Sequence, residues 1–140
     1  MLSSSQIGTL AEYKFAVECI ERGLEPCFNA RQDSPVDLIV DNGKVAHRVQ
    51  VKSSTRYVEK SDYYEVNTRK SGNGGKGPYV EGDFDILAAY VYAERCWYVI
   101  PGFEVFGKHT FTVYPHRPDR KVQGNSRDMK QYLEAWELLQ

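Results

Sequence analysis

The stretch PVDLIVDNGKVAHRVQVKSS, residues 35–54, decides the fold. Apolar and polar residues alternate in it in two runs, as in half-buried β-strands, and Asn42-Gly43 between the runs is typical of a tight turn. Side chains two apart in a strand share a face. The second run therefore has two faces, an apolar one with Val45, His47, Val49 and Val51, and a polar one with Arg48, Gln50 and Lys52.

A helix is predicted on the N-terminal side of this hairpin, over residues 5–22. Its apolar residues recur at alternating spacings of three and four, behind capping serines and ahead of Gly23 as the stop. The residues that define this apolar stripe are Leu10, Tyr13, Val17 and Ile20. We expect the stripe to be the face that packs against a sheet.

On the C-terminal side, residues 56–82 lack periodicity and contain the glycine-rich segment SGNGGKGP, residues 71–78, so we expect a loop there. The runs DILAAYVY (85–92) and CWYVIP (96–101) predict a second, largely buried hairpin, and KHTFTVYP (108–115) an edge strand. A closing amphipathic helix is predicted from Met129, Tyr132 or Leu133, Trp136 and Leu139.

The order of these elements predicts a mixed α/β (α+β) fold, with a central mixed sheet flanked by helices. A length of 140 residues fits a single domain over residues 1–140. With 41% hydrophobic and 26% charged residues, a disordered or fibrous chain is excluded.

The compartment follows from apolar run length and cysteine usage. The longest apolar run, residues 86–93, is far shorter than the roughly 20 residues that cross a bilayer, so no membrane association is expected. The N-terminus shows no export signal layout. Three cysteines without a CxxC pair signal neither a disulfide framework nor a zinc site. We therefore expect a cytoplasmic protein.

Charge is distributed unevenly, although the net charge is −1. Residues 42–79 carry eight Lys or Arg against three Asp or Glu, whereas the flanking segments are acidic overall. A basic segment of this kind is either a solvated loop or a surface that faces phosphates.

Three side chains of the hairpin suggest a chemistry. Asp37 lies in an otherwise apolar run, where a carboxylate needs a cation as partner. Gln50 and Lys52 share one face of the neighbouring strand. An acid, an amide oxygen and an ammonium group together suit hydrolysis of a phosphodiester, which needs a divalent cation and a positive group beside the attacking water.

The motifs PVD (35–37) and QVK (50–52) resemble those of the PD-(D/E)XK nuclease superfamily, with Gln50 where an acidic residue is usual. A glutamine there is similar to the branch of group I intron-associated homing endonucleases. Further similarities to that branch are GxxxE at Gly8–Glu12, the strand RVQVK and the segment GDFDILAAYVY, residues 82–92.

The resemblance implies a restriction-endonuclease-like fold and a Mg²⁺-dependent endodeoxyribonuclease, with Mn²⁺ as a possible substitute. It implies catalytic roles for Asp37, Gln50, Lys52 and Glu12, with a metal held by Asp37, Gln50, the Val51 carbonyl and Glu12. The implied substrate is double-stranded DNA. We expect DNA contacts from Arg48, Ser53, Arg56, Arg69, Lys70 and Lys76.

Some alternatives remain open at this level. A Holliday-junction resolvase shares the layout, and a nuclease-fold DNA-binding or scaffold protein without activity would explain Gln50 as a trace of decay. Asp83 and Asp85 match acids of the branch without a defined role. His47, His109 and His116 lack ligand spacing and are expected to be structural. Because a chain of this size spans few base pairs, we expect a homodimer or homotetramer.

Overall fold

The computed structural model describes residues 1–70, 76–116 and 129–140, so most of the predicted glycine-rich loop lies outside the described residues. The opening helix, α1, spans Ser4–Glu21. It begins with a capping box, in which the Ser3 hydroxyl accepts from the Gln6 amide and the Gln6 side chain accepts from the Ser3 amide. It ends before Gly23, whose φ of +77° favours glycine.

The buried face of α1 differs from the predicted one. Ala11, Phe15, Ala16 and Cys19 face the core, whereas Tyr13, Val17 and Ile20 are exposed. The predicted helix is therefore confirmed, and the predicted core-facing stripe is wrong. Small alanine side chains let α1 lie close to the sheet, so a weakly apolar face is the one that packs.

Two sheets make up the rest of the fold. In chain order the strands are β1 (Glu25–Phe28), β2 (Leu38–Asp41), β3 (Ala46–Ser54), β4 (Arg56–Val58), β5 (Tyr63–Asn67), β6 (Ile86–Val91), β7 (Cys96–Pro101) and β8 (Thr110–Val113). The central sheet has the order β1-β2-β3-β6-β7. Only the β3–β6 pair in it is parallel, so the predicted mixed sheet is confirmed.

Both predicted hairpins are present in the central sheet. The turn between β2 and β3 is closed by a hydrogen bond from the Asn42 amide to the Val45 carbonyl (3.1 Å), and Gly43 there has a φ of +89°. All six residues of β6 are buried, as expected for a strand in the middle of a sheet. The β2–β3 hairpin is what carries Asp37, Gln50 and Lys52 to one place.

The second sheet, β4-β5-β8, corrects two expectations. Residues 56–67 were expected in a loop, but they form β4 and β5. The predicted strand in residues 108–115 exists as β8, and it pairs with β5 rather than with the central sheet. Tyr64 and Val66 of β5 are buried, and the small sheet to which they belong packs beside β3.

The closing segment is not the predicted α-helix. It forms two short 3₁₀ helices, Lys130–Tyr132 and Trp136–Leu139. Between them Leu133 bridges to Tyr98 of β7, and Glu134 adopts a φ of +53°, which no α-helix tolerates. The apolar residues that suggested a helix are nevertheless buried, namely Met129, Tyr132, Trp136 and Leu139.

Among the described residues, α1 is the single α-helix. The helices beside the central sheet are therefore α1 and the 3₁₀ segments. In that part of the chain, no helix is long and apolar enough to span a membrane.

Trp136 tests the packing of the closing segment. Its ring lies 5.8 Å from that of Phe15, and Arg22 stacks on it at 4.1 Å. We expect Trp136→Ala to lower the free energy of unfolding by about 3–5 kcal/mol, because it opens a cavity beneath α1. Urea unfolding measures this. Phe103→Ala is the control, since Phe103 is 69% exposed and its loss should cost less than about 0.5 kcal/mol.

Candidate active site

The site lies where β2 begins, beside the middle of β3. The pairing of Leu38 with Val49 starts β2, and the Asp37 amide still donates to the Val49 carbonyl (2.8 Å). Asp37 therefore precedes the strand, whereas the sequence suggested that it lies inside it. Past this point no strand in the described part of the chain pairs with β3 on its β2 side, and the peptide groups of Val51 that point there need other partners.

Side chains satisfy those peptide groups. The Val51 amide donates to Oδ2 of Asp37 (2.8 Å), and Nε2 of Gln50 donates to the Val51 carbonyl (3.1 Å). Gln50 is only 7% exposed. Because its nitrogen is engaged, Oε1 is the amide atom left to ligate a cation or to accept a further hydrogen bond.

Lys52 is held in place from two directions. Its ammonium donates to the Arg69 carbonyl (3.1 Å) and lies 5.3 Å from the ring centroid of Tyr79. That distance is within the range of a cation–π interaction. Burial lowers the pKa of Lys52, and the nearby Asp37 carboxylate partly opposes this effect.

Two carboxyl groups of the site have raised pKa values. Burial raises the pKa of Asp37 to about 6, although the Val51 amide and Lys52 act in the opposite direction. Burial and the charge of Asp37 raise the pKa of Glu12, on α1, to about 7. Two partly desolvated carboxylates that repel one another are stabilised by a cation between or beside them.

A cavity of about 200 Å³ opens beside Asp37 and Gln50. On its far side Lys70 forms an ion pair with Asp83, with 3.3 Å between Nζ and Oδ2. A second cleft, on the α1 side of Asp37, is lined in part by Glu12. The structure thus brings together Glu12, Asp37, Gln50, Lys52 and one predicted DNA-contact residue, Lys70.

Other predicted DNA-contact residues have partners of their own. Arg48 is paired with Asp85 (3.2 Å) and donates to the Gly82 carbonyl. Arg56 lies 3.5 Å from Glu65 across the β4–β5 pair. Through its pair with Arg48, Asp85 anchors the start of β3. It does not line the cavity.

The other three predicted DNA-contact residues, Arg69, Lys76 and Ser53, differ in exposure. The backbone carbonyl of Arg69 belongs to the site, whereas its side chain is exposed and donates to Nδ1 of His109 (3.0 Å). Lys76 is exposed. The hydroxyl of Ser53 is buried and has no hydrogen-bond partner among the described residues, so it does not lie on a surface that DNA could contact.

Tyr79 is the site residue that sequence reasoning missed. It is 4% exposed, packs edge-on against Phe84 (5.1 Å) and lines the cavity. Burial, Asp37 and Asp83 all raise the pKa of its hydroxyl, which keeps it protonated at neutral pH. Its place after Pro78, next to a glycine-rich segment, suggested a loop, and no periodicity marked it as buried.

The donor set fits a hard divalent cation. Among the described residues no group of three or more His, Cys, Asp or Glu side chains is arranged to hold a metal. The oxygens available here come from Asp37, the amide of Gln50, the Val51 carbonyl and, across the cleft, Glu12. Carboxylate, amide and backbone oxygens are the ligands that Mg²⁺ and Mn²⁺ accept in proteins.

Comparison with known proteins agrees with this site. No curated protein matches the chain. Among solved structures, the bacterial homing endonuclease I-Ssp6803I matches with a TM-score of 0.79 and 25% sequence identity, over 99% of this chain and 93% of that one. The sequence profile described as PD-(D/E)XK endonuclease matches residues 2–139. The chain therefore belongs to the PD-(D/E)XK endonuclease family.

Proposed function

We propose that this protein is a metal-dependent endonuclease that hydrolyses double-stranded DNA at specific sites. The observation that carries the proposal is the cluster at the start of β2, where Asp37 binds the Val51 amide and lies beside Gln50 and Lys52. Structural similarity to a homing endonuclease supports DNA as the substrate and site-specific cleavage as the outcome.

The metal would be Mg²⁺, with Mn²⁺ as a substitute. Asp37, Oε1 of Gln50 and the Val51 carbonyl would hold it, and Glu12 would contribute from α1, directly or through water. When bound, such an ion supplies charge stabilisation for the phosphate that reacts. An amide in place of a carboxylate leaves the site with one negative charge fewer, so its affinity for the ion should be modest.

Lys52 is proposed to orient the attacking water. One of its three N–H groups is occupied by the Arg69 carbonyl, and two remain for a water and a phosphate oxygen. The water oxygen adds to phosphorus and the bond from phosphorus to the 3′ oxygen breaks. The products are a 5′-phosphate and a 3′-hydroxyl, and the protons released on the way pass to solvent or to the leaving oxygen.

DNA contacts are proposed mainly for Lys70, which lines the cavity, and for Arg69 and Lys76, which are exposed; these are three of the eight Lys and Arg residues of the segment 42–79. In the free protein Lys70 is paired with Asp83, and a phosphate would compete for it. Arg48 and Arg56 would contribute to the long-range potential rather than bind directly. A cytoplasmic location and a homo-oligomer complete the proposal.

A direct experiment separates the nuclease from its alternatives. Purified protein is incubated with random-sequence plasmid, phage DNA and four-way junctions, with Mg²⁺ or with EDTA. We expect Mg²⁺-dependent cleavage of duplex DNA at a few sites. Cleavage of junctions alone would instead identify a resolvase. Binding without cleavage under all conditions would identify an inactive scaffold.

Charge removal at the two central side chains should abolish cleavage and preserve the fold. Asp37→Asn keeps an acceptor for the Val51 amide, and Lys52→Met keeps most of the buried aliphatic part of the side chain. Both variants should therefore have the same free energy of unfolding as the wild type. We expect each to reduce the cleavage rate by at least about a hundredfold. The matched controls are the variants Glu81→Ala and Lys44→Ala. Both residues are exposed, so these variants should cleave at the wild-type rate.

Gln50 distinguishes an active enzyme from a decayed one. If its carbonyl oxygen is a ligand, Gln50→Ala should lose most activity, and Gln50→Glu should remain active at lower Mg²⁺ concentrations, because the cage gains a charge. Cleavage rates are measured across a Mg²⁺ titration for all three proteins. Equal rates for wild type and Gln50→Ala would exclude the ligand role. Cleavage by Gln50→Glu alone would indicate decay.

Tyr79 is proposed as a positioning residue for Lys52. Tyr79→Phe keeps the ring and should cleave at nearly the wild-type rate, whereas Tyr79→Leu removes the cation–π contact, worth about 0.5–2 kcal/mol. We expect the leucine variant to lose about two- to thirtyfold in single-turnover rate at saturating enzyme, with unchanged DNA affinity in Ca²⁺. Equal losses in both variants would show that the ring is not what matters.

A further inference from the structure

The outer face of α1 carries an apolar surface that no described residue of the chain covers. Tyr13, Val17 and Ile20 are 58%, 53% and 63% exposed, and they lie on the side of α1 opposite to buried Ala11 and Phe15. Phe28 of β1 extends this surface, because its ring is 48% exposed and lies 4.8 Å from that of Tyr13. We call these four side chains the α1 outer stripe.

The size of the stripe is that of the apolar centre of an interface. Each of its large side chains, about half exposed, offers on the order of 50–120 Å², so the four together offer several hundred Å². A stable protein interface buries about 800 Å² on each partner, with an apolar centre and a polar rim. Apolar patches of this size on monomers are often interaction sites.

The rest of this sequence offers little to cover the stripe. The segments that the structure does not describe, SGNGG (71–75) and RPDRKVQGNSRD (117–128), contain a single aliphatic residue, Val122. A stripe of this area therefore lacks a matching apolar surface within these two segments.

Charges beside the stripe favour a second copy of this chain. At about 100° per residue, Lys14 and Glu21 lie on the same flank of α1, next to the stripe. A two-fold axis perpendicular to α1 makes the two copies of the helix antiparallel, and like flanks then meet. With the axis near Val17, Lys14 in the second half of one helix faces Glu21 at the end of the other, twice. A groove of about 450 Å³ along this flank, bounded by Tyr90 and Trp97, leaves room for side chains of the second copy.

We propose that the α1 outer stripe is the interface of a two-fold symmetric dimer, formed by antiparallel packing of α1 from two copies. The choice of a second copy rests partly on the proposed function, since cutting both strands of a duplex with one site per chain calls for two chains. Tyr13 also lines the cleft beside Glu12, so the interface lies next to the active site.

The test measures mass by sedimentation equilibrium over a wide range of concentrations, without DNA or metal. The wild type should be dimeric, or a tetramer built from dimers. Val17→Lys should raise the dimer dissociation constant by at least about a hundredfold, because it places a charge at the centre of the interface. Phe103→Lys is the matched control, since Phe103 is an apolar side chain outside the stripe that is even more exposed than Val17, and it should not change the constant. Circular dichroism checks that both variants fold.

A charge exchange tests the antiparallel arrangement. Lys14→Glu and Glu21→Lys should each weaken the dimer by about two- to tenfold, and the double variant should recover most of the loss. Additive losses would overturn the antiparallel pairing. A monomeric wild type, or an oligomer that Val17→Lys leaves unchanged, would overturn the interface.

Failure of this proposal can be distinguished from failure of the nuclease proposal. Mass is measured without substrate, and metal-dependent nicking of a single strand by a monomeric Val17→Lys variant would show an intact active site. If the variant stays dimeric while cleaving normally, the dimer uses another surface and the nuclease proposal stands.

Discussion

The hydrogen bond from the Val51 amide to the Asp37 carboxylate is the constraint on which the site depends. β2 begins at Leu38, so among the described residues the middle of β3 lacks a paired strand on its β2 side, just where β3 is most buried. A buried peptide group without a partner costs about 1–3 kcal/mol, and Asp37 and Gln50 remove that cost. The same two side chains provide the oxygens that suit a cation. The contacts that satisfy the backbone hydrogen bonds of β3 are therefore the same contacts that assemble the site.

The electrostatics of this site oppose folding near neutral pH. Burial raises the pKa of Asp37 to about 6, and burial together with the charge of Asp37 raises the pKa of Glu12 to about 7, so the charged forms of both groups are disfavoured there. Lys52 offsets only part of this, and burial lowers its own pKa. Such a site resembles other functional sites in which perturbed pKa values mark groups arranged for chemistry rather than for stability. A bound divalent cation would relieve the repulsion and stabilise the folded chain.

Sequence reasoning predicted the parts of this structure that obey local periodicity. The β2–β3 hairpin and the placement of Gln50 and Lys52 beside Asp37 follow from alternation and one Asn-Gly turn, and the mixed sheet follows from the order of the elements. Tyr79 could not be predicted, because its burial depends on a turn that brings Phe84 back onto its ring and on Lys52 approaching from β3. The closing segment has helical spacing, yet backbone pairing of Leu133 with β7 breaks it into two short turns. In both cases tertiary contacts override a local pattern.

α1 shows why the same reasoning chose the wrong face. Large apolar side chains dominate a periodicity analysis, and in α1 they occupy the outer stripe, whereas the inner face packs through alanines, Phe15 and Cys19. A helix with two apolar faces is typical of one that is buried on both sides. Among the described residues of a single copy, the inner side of α1 is buried and the outer stripe is exposed. The strong periodic signal therefore marks the surface that we propose as the dimer interface, and not the face that packs on the sheet.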